Sequence, residues 1–124
     1  GARNRLGLRG NHGRAVAAGA GRRSGVVEAF RQWPTADASP SGIAVGADGA
    51  IYMAALRGQS LWRIPLGANG NTLTPERLLQ GKYGRLRTVV TAPDGRLWLV
   101  TSNTFRGTLH PGDDRILALR LPVQ

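Results

Sequence analysis

Arg85 and Arg87 flank a single leucine in Gly84-Arg85-Leu86-Arg87, at the head of an apolar run with strand character. Alternate residues of a strand share a face, so both guanidinium groups are expected to point the same way. Planar, permanently charged groups bind carboxylates through paired, charge-assisted hydrogen bonds, and they stabilise negative charge that grows on a ligand during reaction. From spacing alone, the pair reads as a solvated strand edge. Arg57, in Ala55-Leu56-Arg57-Gly58, offers a further cation in a loop that follows a strand. Asp113 and Asp114 are adjacent, so their side chains diverge; they make a poor acid–base pair and are expected to shape the approach to the last strand.

The elements that position these groups read as all-β. From residue 42 onward, short runs of β-branched and aromatic residues are punctuated by Gly, Pro, Asn and Asp, with no sustained helical periodicity. The predicted strands are Gly42–Val45, Ile51–Ala55, Ser60–Pro65, Arg77–Leu79, Leu86–Thr91, Leu97–Thr101 and Arg115–Leu121. Ala47-Asp48-Gly49 and Pro93-Asp94-Gly95 carry the same tight-turn signal, with glycine supplying the positive φ. Superposing them brings Ile43 onto Val89, Ile51 onto Leu97, Tyr52 onto Trp98 and Met53 onto Leu99, a spacing of 46 residues. A repeat of about 40–50 residues built from four antiparallel strands is the signature of β-propeller blades, which need neighbours to bury their faces. Tyr52, Trp62 and Trp98 are then expected to pack between blades.

The first 27 residues differ in composition. They hold six Arg, seven Gly and five Ala with no acidic or aromatic residue, and they are expected to be a disordered leader or a non-native reading frame. Of the formal charge of +10, this leader carries +6 and residues 28–124 carry +4, so the folded part is only mildly basic and nucleic acid is not an expected partner. Gly19-Ala20-Gly21-Arg22-Arg23-Ser24 has neither a preceding strand nor the Gly-Lys-Ser/Thr of a phosphate loop. There is no cysteine, hence no disulfide or thiolate metal site, and the apolar runs are too short to span a bilayer. A chain that opens on Gly1 with material for two blades is expected to be either a fragment of a longer protein, the simpler reading, or a partner in an assembly.

Residues 29–124 resemble the glucose/sorbosone dehydrogenase family, the soluble PQQ-dependent aldose dehydrogenases. The likeness runs through Trp33-Pro34-Thr35, Ala38-Ser39-Pro40-Ser41-Gly42-Ile43-Ala44, Ala55-Leu56-Arg57-Gly58, Leu79-Gln80-Gly81-Lys82-Tyr83-Gly84-Arg85-Leu86-Arg87, Thr101-Ser102-Asn103 and Pro111-Gly112-Asp113-Asp114-Arg115-Ile116. It implies the last two blades of a six-bladed propeller, with PQQ on the top face over the central channel and sugars oxidised there at C1 to lactones. On this resemblance Arg85 and Arg87 match two PQQ-contacting arginines, which replaces the solvated-edge reading. Arg57 stands where the family commonly has a lysine against the quinone, Thr35 matches a hydroxyl near the cofactor, and Trp33 matches an aromatic on the sugar side, with a buried structural tryptophan as its other reading.

The resemblance also implies an aldose substrate, an external electron acceptor, and a secreted, periplasmic or cell-surface parent protein. Neither His12 nor His110 matches the family's catalytic histidine, and the Ca²⁺-binding loop is not in this chain. The isolated chain is therefore expected to be inactive. The alternative is a non-catalytic propeller module that binds a protein or glycan through its loops.

Overall fold

The computed structural model describes residues 14–16 and 29–123. Nine strands run in chain order as β1 (Arg14–Val16), β2 (Ala29–Gln32), β3 (Pro40–Val45), β4 (Ile51–Ala55), β5 (Ser60–Ile64), β6 (Glu76–Leu78), β7 (Leu86–Thr91), β8 (Leu97–Thr101) and β9 (Ile116–Leu119). Every pairing is antiparallel: β1-β2, then a four-stranded sheet β3-β4-β5-β6, then β7-β8-β9, three strands among the described residues. The all-β, propeller-like architecture expected from the sequence is the one observed. Strand ends differ where local chemistry intervenes. Leu79 has φ +57° and so terminates β6, and Pro65, without an N–H, lies beyond β5. Three leader residues form β1 against β2; the remainder of the leader lies outside the described residues.

The hairpins rest on one repeated turn. Asp48 Oδ1 accepts from Ala50 N at 3.1 Å and Asp94 Oδ1 accepts from Arg96 N at 3.1 Å, while Gly49 and Gly95 adopt φ of +83° and +89°. Asn69-Gly70 repeats the arrangement between β5 and β6, with Asn69 Oδ1 accepting from Asn71 N. A short acceptor side chain followed by a left-handed residue is what such a turn demands.

All five residues of β4 are buried, so this strand has a core on each face. Toward the second sheet, Tyr52, Ala54 and Leu61 pack against Leu86, Val89, Leu97 and Leu99. On the opposite face Ile51, Met53 and Ala55 meet Trp33, Ala38 and Ile64. Each large side chain so enclosed contributes roughly 1.5–3 kcal/mol. The two sheets are also tied directly, Thr91 Oγ1 donating to Val45 O at 2.6 Å. Gly42 permits this approach, because a Cβ there would lie 3.1 Å from Arg87 O.

The pairs Ile43–Met53 and Val89–Leu99 are ladder partners, which realises the 46-residue repeat. Its consequence for the aromatics is unequal. Tyr52 is fully buried between the sheets, and its hydroxyl donates to Asp48 Oδ2 at 2.7 Å while accepting from Arg63 Nε at 3.1 Å. Trp62 packs with Trp33 on the other face of the first sheet, ring centroids 5.7 Å apart. Trp98, the repeat mate of Tyr52, is 41% exposed beside exposed Val90 and Ile116, not packed between blades, because among the described residues no sheet covers that face of β7-β8-β9.

Candidate functional site

At one edge of the two sheets lies a cleft of about 490 Å³ lined by Ser39, Arg57, Arg85, Arg87, Phe105 and Arg106. That volume falls within the roughly 300–1,000 Å³ of small-molecule sites. Four cations from three separate segments line it, and among the described residues none of the four is ion-paired with a carboxylate. Other arginines of the chain are paired: Arg63 with Asp48 and Glu76, Arg96 with Asp94, Arg115 with Asp113.

Arg85 and Arg87 share this cleft for a reason other than strand alternation. β7 begins only at Leu86, so Arg85 precedes it, and the register shifts between Leu86↔Thr101 and Thr88↔Val100, leaving Arg87 as the extra residue of a bulge. Bulges at sheet rims re-aim side chains in this way. The first sheet has the same irregularity at Ser41, between Pro40↔Ala55 and Gly42↔Ala54. Ser39, with φ +52°, stands 46 residues before Arg85 and lines the same cleft.

Arg57 is delivered by the turn after β4. Backbone bonds from Leu56 N to Ser39 O and from Gly58 N to Ala38 O fasten that turn to the segment before β3. Gly58 is obligatory there, because a Cβ would collide with the Asp37 carbonyl. Thr35 opens the 3-10 turn Thr35–Asp37 that precedes this junction, and Trp33 is buried at 6% exposure against Trp62. The structure thus brings Arg57, Arg85 and Arg87 together and leaves Trp33 and Thr35 outside the cleft lining.

Arg85 is the most firmly held of the cations. Its Nε donates to Ser102 O at 3.1 Å, its backbone N donates to Asn103 Oδ1 at 2.8 Å, and its carbonyl accepts from Ser102 N at 2.8 Å. Burial, together with the charges of Arg106 and Arg87, holds its pKa below the ordinary guanidinium value. It stays protonated, since guanidinium does not deprotonate in proteins.

The residues that sequence reasoning missed are those that build this support. Asn103, 2% exposed, also donates through Nδ2 to Tyr83 O at 2.9 Å and to Asp113 Oδ2 at 2.8 Å. Asp114 Oδ1 accepts from Asn103 N at 2.6 Å and Thr101 Oγ1 at 3.0 Å, and its Oδ2 accepts from the N–H and hydroxyl of Thr104. Asp113 Oδ2 takes the His110 N–H at 2.6 Å. The adjacent carboxylates, expected to shape the approach to the last strand, also pin the loop that closes over Arg85. The backbone N–H of Asn103, then the Thr104 hydroxyl, draw the Asp114 pKa down to about 2. The N–H of His110, followed by Asn103 and Arg115, lowers that of Asp113. The sequence shows a glycine at position 84; that it has φ +77° and faces Asn103, where a Cβ would overlap the amide, is set by the fold.

Four guanidinium groups of this kind suit a ligand with several carboxylates. No group of three or more metal-ligating side chains converges among the described residues, and none of their helices is long and apolar enough to cross a membrane.

Among solved structures, the PQQ-bound aldose sugar dehydrogenase of Streptomyces coelicolor shares 46% identity with this chain at a TM-score of 0.72, over 87% of this chain and 35% of that one. A Thermus thermophilus protein assigned as an oxidoreductase (glucose dehydrogenase) shares 36% over 90% of this chain and 38% of its own length, TM-score 0.70. A further glucose dehydrogenase shares 28% over 64% of this chain and 25% of its own, TM-score 0.55. The chain thus spans little more than a third of the length of the first two of these proteins. No curated protein matches it. The glucose/sorbosone dehydrogenase family matches residues 9–110, a span that starts inside the arginine-rich leader and takes in all four arginines of the cleft. With most of the sequence accounted for by that one match, this chain belongs to the glucose/sorbosone dehydrogenase family.

Proposed function

We propose that this chain supplies part of the wall that holds PQQ in an enzyme oxidising aldose sugars at C1 to lactones, with electrons passed to an external acceptor. The observation that carries the reading is the convergence of Arg57, Arg85 and Arg87 on one cleft with no carboxylate partner among the described residues. The donor set fits the cofactor, whose three carboxylates call for guanidinium groups.

When bound, PQQ supplies the two-electron chemistry at its quinone. This chain's residues bind and orient. Arg85, fixed at Nε and at its backbone N, offers its outer nitrogens to a carboxylate, and Arg87 reaches the same cleft from the bulge. Arg57, on the turn fastened to Ser39, would stabilise the negative charge that grows during reduction. Trp33 acts through packing, clustered with Trp62 and with Ala38 of the segment between the Thr35–Asp37 turn and β3, rather than by presenting an open indole face to sugar. In this reading no residue of the chain holds calcium or serves as catalytic base, the 124 residues alone are inactive, and the complete enzyme works secreted, in the periplasm or at the cell surface.

Titrating the chain with PQQ, followed by tryptophan fluorescence, tests the reading. Saturable binding that weakens on the order of tenfold in Arg85→Gln and in Arg87→Gln is expected. Binding unaffected by either change would refute it. Addition of PQQ, Ca²⁺, an aldose and a redox dye is expected to give no dye reduction above a protein-free blank.

A further inference from the structure

We propose that the loop Ser102–Gly107 is a third wall of the same anion site, in which Arg106 takes a ligand carboxylate and the Phe105 ring covers the ligand plane. The proposal rests on the PQQ reading and extends it to residues that the family resemblance did not assign. Arg106 lines the cleft with Arg57, Arg85 and Arg87, and its charge is felt at Arg85, where it contributes to the lowered pKa. Four like charges gathered without a carboxylate partner among the described residues repel one another, and a polyanion seated among them relieves that repulsion.

Phe105 is 84% exposed and lines the cleft. The Arg106 guanidinium lies over its ring, 5.9 Å from the centroid, a cation–π contact that ties the two side chains together. A planar aromatic ligand would bury this ring. The loop is not slack. Asn103 and Thr104 are held by Asp114, and Ser102 is bonded to Arg85 through both its N–H and its carbonyl. At the far end Gly107, with φ +98°, lets the backbone lie on the Arg85 stem, where a Cβ would come within 2.8 Å of Arg85 Cδ.

The test uses the full 124-residue chain, with PQQ and PQQ trimethyl ester as probes, and dissociation constants measured at two salt concentrations. Arg106→Gln is expected to weaken PQQ binding about five- to tenfold and to flatten its salt dependence. Arg106→Lys should recover part of that loss. The ester, lacking the carboxylates, should bind Arg106→Gln and the parent chain alike. Phe105→Ala is expected to weaken both probes about threefold or more. Arg120→Gln, exposed and outside the cleft, serves as the control for general charge. If Arg85→Gln weakens PQQ while Arg106→Gln and Phe105→Ala do not, the loop proposal is overturned and the cofactor reading stands. If the parent chain binds no PQQ, both fall.

Discussion

Replacing Asn103 with alanine should unfasten the cation cleft from its support. The side chain makes three hydrogen bonds, from Arg85 N to Oδ1 and from Nδ2 to Tyr83 O and Asp113 Oδ2, and the residue is 2% exposed. Each bond is worth about 1 kcal/mol net, and an enclosed partner left without water costs more. The partners are part-buried, so some regain water, and the expected loss is roughly 2–4 kcal/mol. For a chain of this length, 1 kcal/mol lowers Tm by about 4 °C, which puts the shift at about 8–16 °C. Thermal unfolding followed by circular dichroism reads it. Ser102→Ala is the control, because Ser102 contributes only backbone groups to Arg85 and should change Tm by less than about 2 °C. If Asn103→Ala also shifts Tm by less than about 2 °C, the hub does not hold this edge of the fold and the reasoning fails.

Gly84→Ala should cost clearly more stability than Gly70→Ala. Both sites have positive φ, worth about 1 kcal/mol against alanine, but only at Gly84 does a Cβ meet a buried amide; equal losses in urea titration would contradict this. Asp114 has its folded-state pKa depressed to about 2 from 3.8, so its stabilisation is present above the unfolded value and lost as pH falls from 3.8 toward 2. Acid unfolding should therefore steepen in that window, and Asp114→Asn should reduce the steepening. Tyr52→Phe should cost about 1 kcal/mol in chemical denaturation, since it removes the hydroxyl that links Asp48 and Arg63. No loss would mean that water replaces that link without penalty.

The strands and turns were legible because they are local. Asp48-Gly49 and Asp94-Gly95 specify their hairpins by their own side chain and φ, and alternation along Leu97–Thr101 specifies which side is buried. Less legible was Trp98, whose type says that it packs, whereas its environment depends on whether a sheet lies against it. The pairing of Arg85 with Arg87 was read from their spacing, yet the geometry behind it is a bulge, which spacing does not reveal.

The all-β pattern, the 46-residue repeat and the family likeness are properties of the amino-acid order alone, and that order also marked Arg57, Arg85 and Arg87. It took the folded chain to bring Arg106 and Phe105 beside them, to seat Arg85 on Asn103, and to turn Asp113 and Asp114 toward Asn103 and its loop. The difference comes from separation along the chain. Asn103 lies 18 residues from Arg85, and Asp114 lies 11 from Asn103. Hydrogen bonds of that kind form only after β7, β8 and β9 have paired and brought the ends of their loops to one edge.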